Sequence, residues 1–416
     1  MRSGCTRLLS FAILAVVPLW AATAEDKVPR VAVIATVWHH NSHADVIAAR
    51  LLQGYNLDGR GEFPKLKLAS LYVDQVHERD KSREFSQQYG FPIYDTVAGA
   101  LTLGGDKLSV DGVLLIAEHG KYDESPTGSI QYPKRRLFGE IVKVFESSAR
   151  VVPVFSDKHL EDDAADIAWI WEQKERMKIP LMAGSSLPTL WRYPPADVKL
   201  GEPLKEIVAV SYHRLDAYGF HALEMVQCLA ERRKGGECGV KQVRCLSGDA
   251  VWEAGKRGLY DSKLLEEALL RLKERPLKPG YSLPDLVKQP ELFVLDYEDG
   301  LRASILTANG AVGEWTVAWR YGDGRSESTC FWTQEARPFM HFTYLLQGVE
   351  KMIETGQPTW PPERTLLTSG ALDALLVSRQ EGGKAIATPQ LKIAYQPTHQ
   401  WQQPPEPPAN RPIDQQ

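Results

Sequence analysis

The sequence predicts an α/β protein: a Rossmann-like, doubly wound parallel sheet, followed by an α+β domain with a largely antiparallel open sheet. Two patterns support this prediction. Up to residue 187, short apolar runs rich in β-branched residues alternate with amphipathic stretches, which is typical of βαβ units. After Pro188 the apolar runs are joined by Asp-Gly and Asn-Gly turns, which favour hairpins.

The first part, residues 29–187, contains the parallel sheet. Each predicted strand is an apolar run suited to burial on both faces, and most predicted helices place their apolar residues on one face. The strands are expected at 30–35, 66–73, 110–117, 151–155 and 179–183. The helices are expected at 43–54, 83–89, 96–101, 134–148 and 160–178.

The second part, residues 188–395, contains the antiparallel sheet. Its strands are expected at 207–211, 292–296, 303–306 and 314–321, with hairpin turns at 298–300, 308–310 and 322–324. Its helices are expected at 220–233, 262–274 and 341–355. Proline and glutamine are abundant in residues 396–416, and this composition predicts a disordered tail.

The first 24 residues have the composition of a secretory signal peptide. Arg2 and Arg7 flank the start of an apolar run over 8–20, and small residues at 22–24 suit a signal peptidase. The run is shorter than the ~20 residues of a membrane-spanning helix, and no other stretch is long and apolar enough. We therefore expect a Sec-type signal cleaved after Ala24, a periplasmic or secreted product and no stable membrane span. The alternative is an uncleaved N-terminal anchor.

The charge balance argues against one class of partner. The chain has 49 Lys and Arg residues against 53 Asp and Glu residues, a net charge of −4. Without an excess of positive charge it lacks the field that attracts phosphate backbones. We therefore expect no nucleic-acid partner.

The turn after the first predicted strand carries the most specific motif. Residues 35–43 read Ala-Thr-Val-Trp-His-His-Asn-Ser-His, where a dinucleotide-binding fold has Gly-x-Gly-x-x-Gly. This turn resembles the start of the Gfo/Idh/MocA family, the glucose-fructose oxidoreductase and inositol dehydrogenase group, whose glycine motif is followed by a histidine. In that alignment Ala35, Val37 and His40 stand at the glycine positions, and His43 keeps the histidine.

Three later segments extend the resemblance over most of 29–395. Residues 156–160, Ser-Asp-Lys-His-Leu, resemble the Glu-Lys-Pro segment of the family. Residues 217–224, Ala-Tyr-Gly-Phe-His-Ala-Leu-Glu, resemble its Asp-x-Gly-x-His-x-x-Asp segment. Residues 347–379 resemble its closing helix, turn and helix.

The resemblance implies an exported oxidoreductase-like enzyme that acts on a sugar, cyclitol or related polyol by hydride transfer with NAD or NADP. It implies that Lys158 contacts the nicotinamide and a substrate hydroxyl, and that His221 assists proton transfer. Asp216 lies one position from the family's carboxylate and is the expected partner of His221. The expected cofactor-binding residues are Thr36, Val37, Trp38, Asp74, Glu118 and Lys158. A homo-oligomer is also implied, because family members often associate through the open face of the second sheet.

Lys158 is the strongest catalytic candidate. A lysine at the carboxyl end of a parallel strand faces the ligand crevice, where desolvation can lower its pKa towards that of a general base. The alternatives are a solvated lysine in a helix-start loop and, for His221, a structural histidine between the domains.

The altered glycine positions leave a second hypothesis open. A Val37 side chain and a His40 ring would intrude where the backbone of a Rossmann turn touches the pyrophosphate. The same cleft could then serve a non-redox carbohydrate-binding protein or a metal-assisted lyase or hydrolase. Metal-capable side chains follow three strands, but they match no compact zinc signature, so no metal ligand is assigned; they are His39, His40, His43, Glu118, His119, Asp157 and His159.

The cysteines and the tryptophans also allow predictions. Cys228, Cys238 and Cys245 are close in sequence, and in an exported chain either a 228–238 or a 238–245 bridge or buried free thiols would fit.

The tryptophans are expected mainly in the core, with one or two near the cleft able to stack on sugar rings; they are Trp169, Trp171, Trp191, Trp252, Trp315, Trp319 and Trp332.

Overall fold

The computed structural model describes Met1 and residues 28–274 and 276–407. The expected signal peptide, apart from Met1, and residues 408–416 of the expected tail lie outside the described residues. Within the described ranges, no helix has the length and hydropathy needed to cross a bilayer.

The first sheet has six parallel strands in the order β3-β2-β1-β4-β5-β6, with β1 paired on both sides. This is the doubly wound order of a Rossmann fold, in which ligands bind at the carboxyl ends of the strands. The strands are β1 Arg30–Ala35, β2 Lys67–Val73, β3 Ile93–Tyr94, β4 Gly112–Ile116, β5 Val154–Asp157 and β6 Leu181–Gly184. The helices between them are α1 His43–Ala48, α2 Arg50–Gln53, α3 Ser82–Tyr89, α4 Val97–Thr102, α5 Lys134–Ser148 and α6 Ala164–Met177.

The second sheet has eight strands in the order β14-β9-β10-β11-β8-β12-β13-β7. All its pairs are antiparallel except β8 with β11. Its strands are β7 Trp191–Tyr193, β8 Leu204–Ser211, β9 Val240–Ser247, β10 Glu291–Tyr297, β11 Arg302–Thr307, β12 Trp315–Tyr321, β13 Ser326–Trp332 and β14 Ile386–Ala387. The helices of this half are α7 Phe220–Ala230, α8 Asp249–Lys256, α9 Ser262–Leu269, α10 Leu283–Leu286, α11 His341–Thr355 and α12 Pro362–Gln380.

Both sheets are covered on both faces. One face of the first sheet packs against α11, which follows the second sheet in the chain, through residues such as Leu345 and Val349. In the second sheet, alternate β8 residues face opposite ways: Ile207 packs in the cluster with α7 and α12, and Val208 in the cluster with α8, α9 and α10. The face opposite α7 and α12 is therefore covered by α8, α9 and α10 of the same chain.

One expected hairpin is absent from the second sheet. The turns at 298–300 and 322–324 do join antiparallel neighbours, β10 to β11 and β12 to β13. The turn at 308–310 does not, because β8 lies between β11 and β12 and pairs with both. The Asn309 amide instead contacts the backbone of His213.

The segment 396–407 lies along the second sheet, which corrects the expectation of disorder for that part of the tail. The Trp401 indole donates to the Leu190 carbonyl at 2.8 Å, and the Trp191 indole donates to the Pro405 carbonyl at 2.8 Å. The Arg192 guanidinium lies 4.1 Å from the centre of the Trp401 ring. Contacts of Trp401 and Pro405 with the start of the second sheet thus hold a segment whose overall composition suggested disorder.

The cysteines of the described residues are all free thiols. Cys228, Cys245 and Cys330 are buried and Cys238 is half-buried. Neither of the two bridges considered from the sequence is present, and the free-thiol alternative describes this structure.

Candidate active site

A cavity of about 760 Å³ lies between the two domains, at the carboxyl ends of the first sheet's strands. The loops after β1, β2, β4 and β5 form one wall, and the start of α7 with the edge of β12 forms the other. Eight of the ten histidines of the chain line it. The lining histidines are His39, His43, His77, His119, His159, His213, His221 and His341.

Lys158 lies on the floor of the cavity, directly after β5. Its backbone is left-handed (φ 62°) and is held by two 3.1 Å hydrogen bonds with Gly184. Its ammonium lies 3.1 Å from Glu118. Burial lowers the pKa of Lys158, but Glu118 and Asp157 outweigh burial, so the pKa is raised. The expected general base is therefore corrected to a fixed positive charge.

A second lysine, which the sequence analysis did not single out, stabilises the charged form of Glu118. Lys134, at the first position of α5, is 0% exposed, and its ammonium lies 2.7 Å from the other Glu118 oxygen. It also donates to the carbonyls of Asp157, at 3.0 Å, and His159, at 2.8 Å. Burial raises the pKa of Glu118, but Lys134 and Lys158 hold it well below its usual value. Lys134 thus ties the ends of β4 and β5 together beneath Lys158.

His221 lies on the opposite wall, in the first turn of α7. Its Nδ1 is 2.6 Å from the Ser185 hydroxyl, which in turn accepts the backbone N–H of Leu187 at 3.0 Å. Burial and the charge of Lys158 lower the pKa of His221 well below its usual value, so the ring is neutral. Because Ser185 takes Nδ1, Nε2 is the ring nitrogen left for the cavity.

Asp216 lines the cavity but does not orient His221. Both of its carboxylate oxygens accept from Arg214, at 3.0 and 2.9 Å. The expected Asp216–His221 pair is corrected: Ser185, from the end of β6, holds the imidazole. The sequence contains no spacing that relates position 185 to position 221.

An aromatic wall lies beside His221. The Tyr218 and Trp315 rings stack with centroids 5.4 Å apart and an interplanar angle of 17°, and Trp315 meets His221 edge-on at 6.0 Å. Both rings line the cavity. Of the tryptophans named from the sequence, Trp315 is the one that lines this cavity, but it is only 3% exposed, so the half-buried Tyr218 ring is the aromatic surface open to a sugar face.

The expected cofactor-binding residues of the first turn face different ways. The Thr36 hydroxyl donates to the Glu118 carbonyl at 2.7 Å and is buried. Val37 lines the cavity, at the position of the second family glycine. Trp38 is 0% exposed and packs edge-on against Phe85, so its ring belongs to the core.

The N-terminus of α1 is neutralised by the chain's own carboxylate. Asp45 is 1% exposed and accepts from the backbone N–H of Asn41 at 3.0 Å and from the Trp38 indole at 3.4 Å. Arg337, from the segment before α11, donates to the same carboxylate at 2.7 Å. The Ser42 hydroxyl accepts the backbone N–H groups of position 39, at 3.1 Å, and position 45, at 3.3 Å. Three N–H groups of this turn are thus bound within the chain.

Asp74, at the end of β2, is also occupied. Its carboxylate accepts from the hydroxyls of Tyr72 and Tyr122, both at 2.8 Å, and from Arg136. Burial raises its pKa, but these donors outweigh burial and lower it. The carboxylate is thus saturated by the protein rather than presented to a ribose.

The metal-capable side chains do not converge on one point. In the described part of the chain, no three His, Cys, Asp or Glu residues are arranged to hold a metal ion. His43 instead bonds Asp157 through Nδ1 at 2.5 Å, and His159 lies against Lys134 with Nδ1 at 3.3 Å.

Several solved structures are similar to this chain. GenD2 from gentamicin A biosynthesis, in complex with NAD, matches with 12% identity and a TM-score of 0.56, over 90% of this chain and 99% of that one. Scyllo-inositol dehydrogenase from Lactobacillus casei, with bound NAD(H) and scyllo-inositol, matches with 11% identity and a TM-score of 0.53, over 87% and 99%. A probable dehydrogenase from Thermotoga maritima matches with 14% identity and a TM-score of 0.55, over 87% and 99%. No protein-family model and no curated protein matches the sequence.

The chain has the two-domain fold of the Gfo/Idh/MocA dehydrogenases. The likeness spans nearly the whole of those neighbours, so it includes both domains. At this level of identity it concerns the fold alone, and the chemistry must be judged from the site residues.

The residues of the first turn do not fit a dinucleotide bound as this dehydrogenase fold usually binds one. In a Rossmann fold the diphosphate lies at the N-terminus of the helix after β1, on backbone N–H groups. Here the Asp45 carboxylate, paired with Arg337, occupies that point and accepts the Asn41 N–H, and Val37 adds a side chain where the phosphate approaches. The substrate end is different, because Lys158 and His221 both face the cavity.

Proposed function

We propose that this chain is an enzyme of oxidoreductase-like fold that acts on a sugar, cyclitol or related polyol by redox-neutral proton transfer, without a dinucleotide at the first turn. One observation carries the proposal: a fixed ammonium, Lys158, and a neutral imidazole, His221, line the same cavity. The half-buried Tyr218 ring, stacked on the buried Trp315 beside them, suits the apolar face of a sugar ring.

The two groups support proton transfer next to a carbonyl. In the tautomer whose Nδ1–H donates to Ser185, His221 Nε2 removes the proton from the carbon beside the carbonyl, and the electron pair moves onto the carbonyl oxygen. Lys158 stabilises the resulting enediolate oxygen, a contribution of about 10²–10³ in rate for a well-placed group. The enediolate oxygen takes the proton of the neighbouring hydroxyl, and His221 returns its proton to the former carbonyl carbon. The carbonyl then stands at the neighbouring carbon of the isomeric sugar, so atoms and electrons balance without an external oxidant.

NAD(P)-linked hydride transfer is the second candidate. It is favoured by the fold neighbours, because GenD2 was solved in complex with NAD and scyllo-inositol dehydrogenase with NAD(H) and scyllo-inositol. In that reaction Lys158 and His221 would hold and deprotonate a substrate hydroxyl. The occupied first turn weighs against it.

Hydrogen exchange tests the proposal. The full chain is incubated in D₂O with a panel of aldoses, ketoses, inososes and uronic acids, and carbon-bound deuterium is followed by NMR. We expect exchange beside a carbonyl, reduced at least ~100-fold in Lys158→Met, and unchanged in Lys143→Met on the exposed side of α5. No exchange with any sugar, together with sugar-dependent reduction of NAD(P), would establish hydride transfer instead.

Export is proposed together with this function. The basic start and apolar run of residues 1–24 support it. Expression in a Gram-negative host, followed by fractionation and N-terminal sequencing, should give a periplasmic product that begins at Glu25. A cytoplasmic product that retains Met1 would contradict export.

A further inference from the structure

The cavity continues past Lys158 into the first domain. Its far end follows the loops after β1, β2 and β4 and is lined by the rings of His39, His77 and His119. The His39 and His77 centroids are 4.4 Å apart, and those of His39 and His119 are 5.7 Å apart. We call these three residues the histidine end. The full volume of about 760 Å³ is in the upper part of the ~300–1,000 Å³ range of ligand sites and is large for one sugar ring.

The hydrogen bonds of these rings fix which nitrogen each one offers. His39 Nδ1 lies 2.9 Å from the His40 carbonyl and must donate to it, so Nε2 is an acceptor. His77 Nδ1 accepts the backbone N–H of Arg79 at 3.0 Å, so Nε2 carries the proton and is a donor. The two neighbouring rings thus present one acceptor and one donor.

This pairing suits a hydroxyl group better than the other ligands considered. A hydroxyl both donates and accepts, whereas a phosphate oxygen needs donors only and a metal ion needs lone pairs only. Burial and the charges of His43 and Lys158 lower the pKa of His119 to about 3, so that ring adds no positive charge. The histidine end therefore favours a neutral polyhydroxyl group.

Two hydrogen bonds within the protein fix the loops that carry the histidine end. The Gln75 side chain donates to the Lys121 carbonyl at 3.0 Å and accepts the Lys121 N–H at 2.9 Å. These two bonds join the loops after β2 and β4, which carry His77 and His119. The site is thus preorganised beside the acid–base pair.

We propose that the histidine end is a second sugar subsite, and that the ligand of the cavity is an oligosaccharide or glycoside. One ring lies between Lys158 and His221, against Tyr218, and the next ring bonds His39 and His77. This inference rests on the proposed function for the placement of the first ring.

The test compares ligands of different length. The full chain is screened on an array of mono-, di- and trisaccharides, and the tightest disaccharide is titrated by calorimetry beside its two component monosaccharides. We expect the disaccharide to bind at least ~10-fold more tightly than either component. His77→Ala should remove that advantage and leave monosaccharide binding within about twofold. His399→Ala, whose ring lies against Trp360 outside the cavity, is the matched control.

Four results would overturn the subsite: equal affinity for mono- and disaccharides, a disaccharide advantage that survives His77→Ala, no saccharide binding at all, or stoichiometric zinc or copper lost in His77→Ala. The last would reassign the histidine end to a metal. Deuterium exchange that persists while the disaccharide advantage is absent would place the failure in the subsite and not in the proposed function.

Discussion

The two ends of the cavity differ in where their charges point. At the substrate end, Lys158 lines the cavity. Its ammonium is paired with Glu118, which in turn is paired with the buried Lys134. At the first turn, Asp45 and Arg337 are directed at each other and at the backbone of the turn. The Lys158 charge therefore faces the cavity, whereas the Asp45 and Arg337 charges are used in contacts within the protein.

This difference shows that a Rossmann sheet can be present without the free N–H groups that bind a diphosphate. A Rossmann sheet brings strand ends together whatever their residues are, but a diphosphate also needs unoccupied N–H groups. Here Ser42 and Asp45 accept from three N–H groups of the turn, those of positions 39, 41 and 45. The nucleotide-binding geometry can therefore be lost while the sheet, the crossovers and the lysine at β5 remain.

The largest expected effect concerns the support of the substrate end. Lys134→Met leaves the buried Glu118 with Lys158 as its one lysine partner, and breaking a buried ion pair costs about 3–5 kcal/mol. Urea unfolding measures it. Lys143→Met, on the exposed side of the same helix, should change the free energy of unfolding by no more than ~0.5 kcal/mol. Equal, small losses in both variants would show that Lys134 does not support Glu118.

A smaller effect is expected at the first turn. Arg337→Met leaves the buried Asp45 carboxylate with its bonds to Asn41 and Trp38, and the loss of one partner should cost about 1–3 kcal/mol. It should not create dinucleotide binding, because the carboxylate stays at the helix N-terminus. Arg83→Met, on the exposed start of α3, is the control. NAD binding by Arg337→Met would contradict the conclusion that the Asp45 carboxylate keeps a dinucleotide from the first turn.

A third effect, measured as a slope per pH unit, is a pH dependence from the neutral His119. The pKa of His119 falls from 6.5 to about 3 on folding, so between these values the unfolded chain binds a proton that the folded chain does not. Its contribution therefore makes the free energy of unfolding decrease as the pH falls through this window, by about 1.4 kcal/mol per pH unit. His119→Gln should reduce the slope of stability against pH by that amount. An unchanged slope would mean that His119 is protonated in the folded chain.

The sequence predicts the first sheet better than the second. β1 and α5 have the predicted bounds because an unbroken apolar run and a regular apolar face depend on local residues alone. β9 and β13 were missed, because Lys241 and Arg244 interrupt one strand and Ser326–Thr329 make the other polar. Their pairing partners, not their own composition, make them strands.

Site residues could be predicted from the sequence only where they lie in a motif of the resembled family. Lys158 and His221 came from segments that resemble a known family, and both line the cavity. Lys134 is followed by two arginines and looks like a solvated helix start, yet it is 0% exposed. Asp45 and Arg337 are 292 positions apart, so no spacing could relate them.

Dinucleotide binding tests the central claim most directly. The full chain is titrated with NAD⁺, NADH, NADP⁺ and NADPH by calorimetry, beside a dinucleotide-binding dehydrogenase of the same fold as positive control. With three N–H groups of the first turn bound to Ser42 and Asp45, we expect no saturable binding in the ~1 μM–1 mM range typical of enzyme substrates. Saturable binding of any of the four within that range would contradict the account.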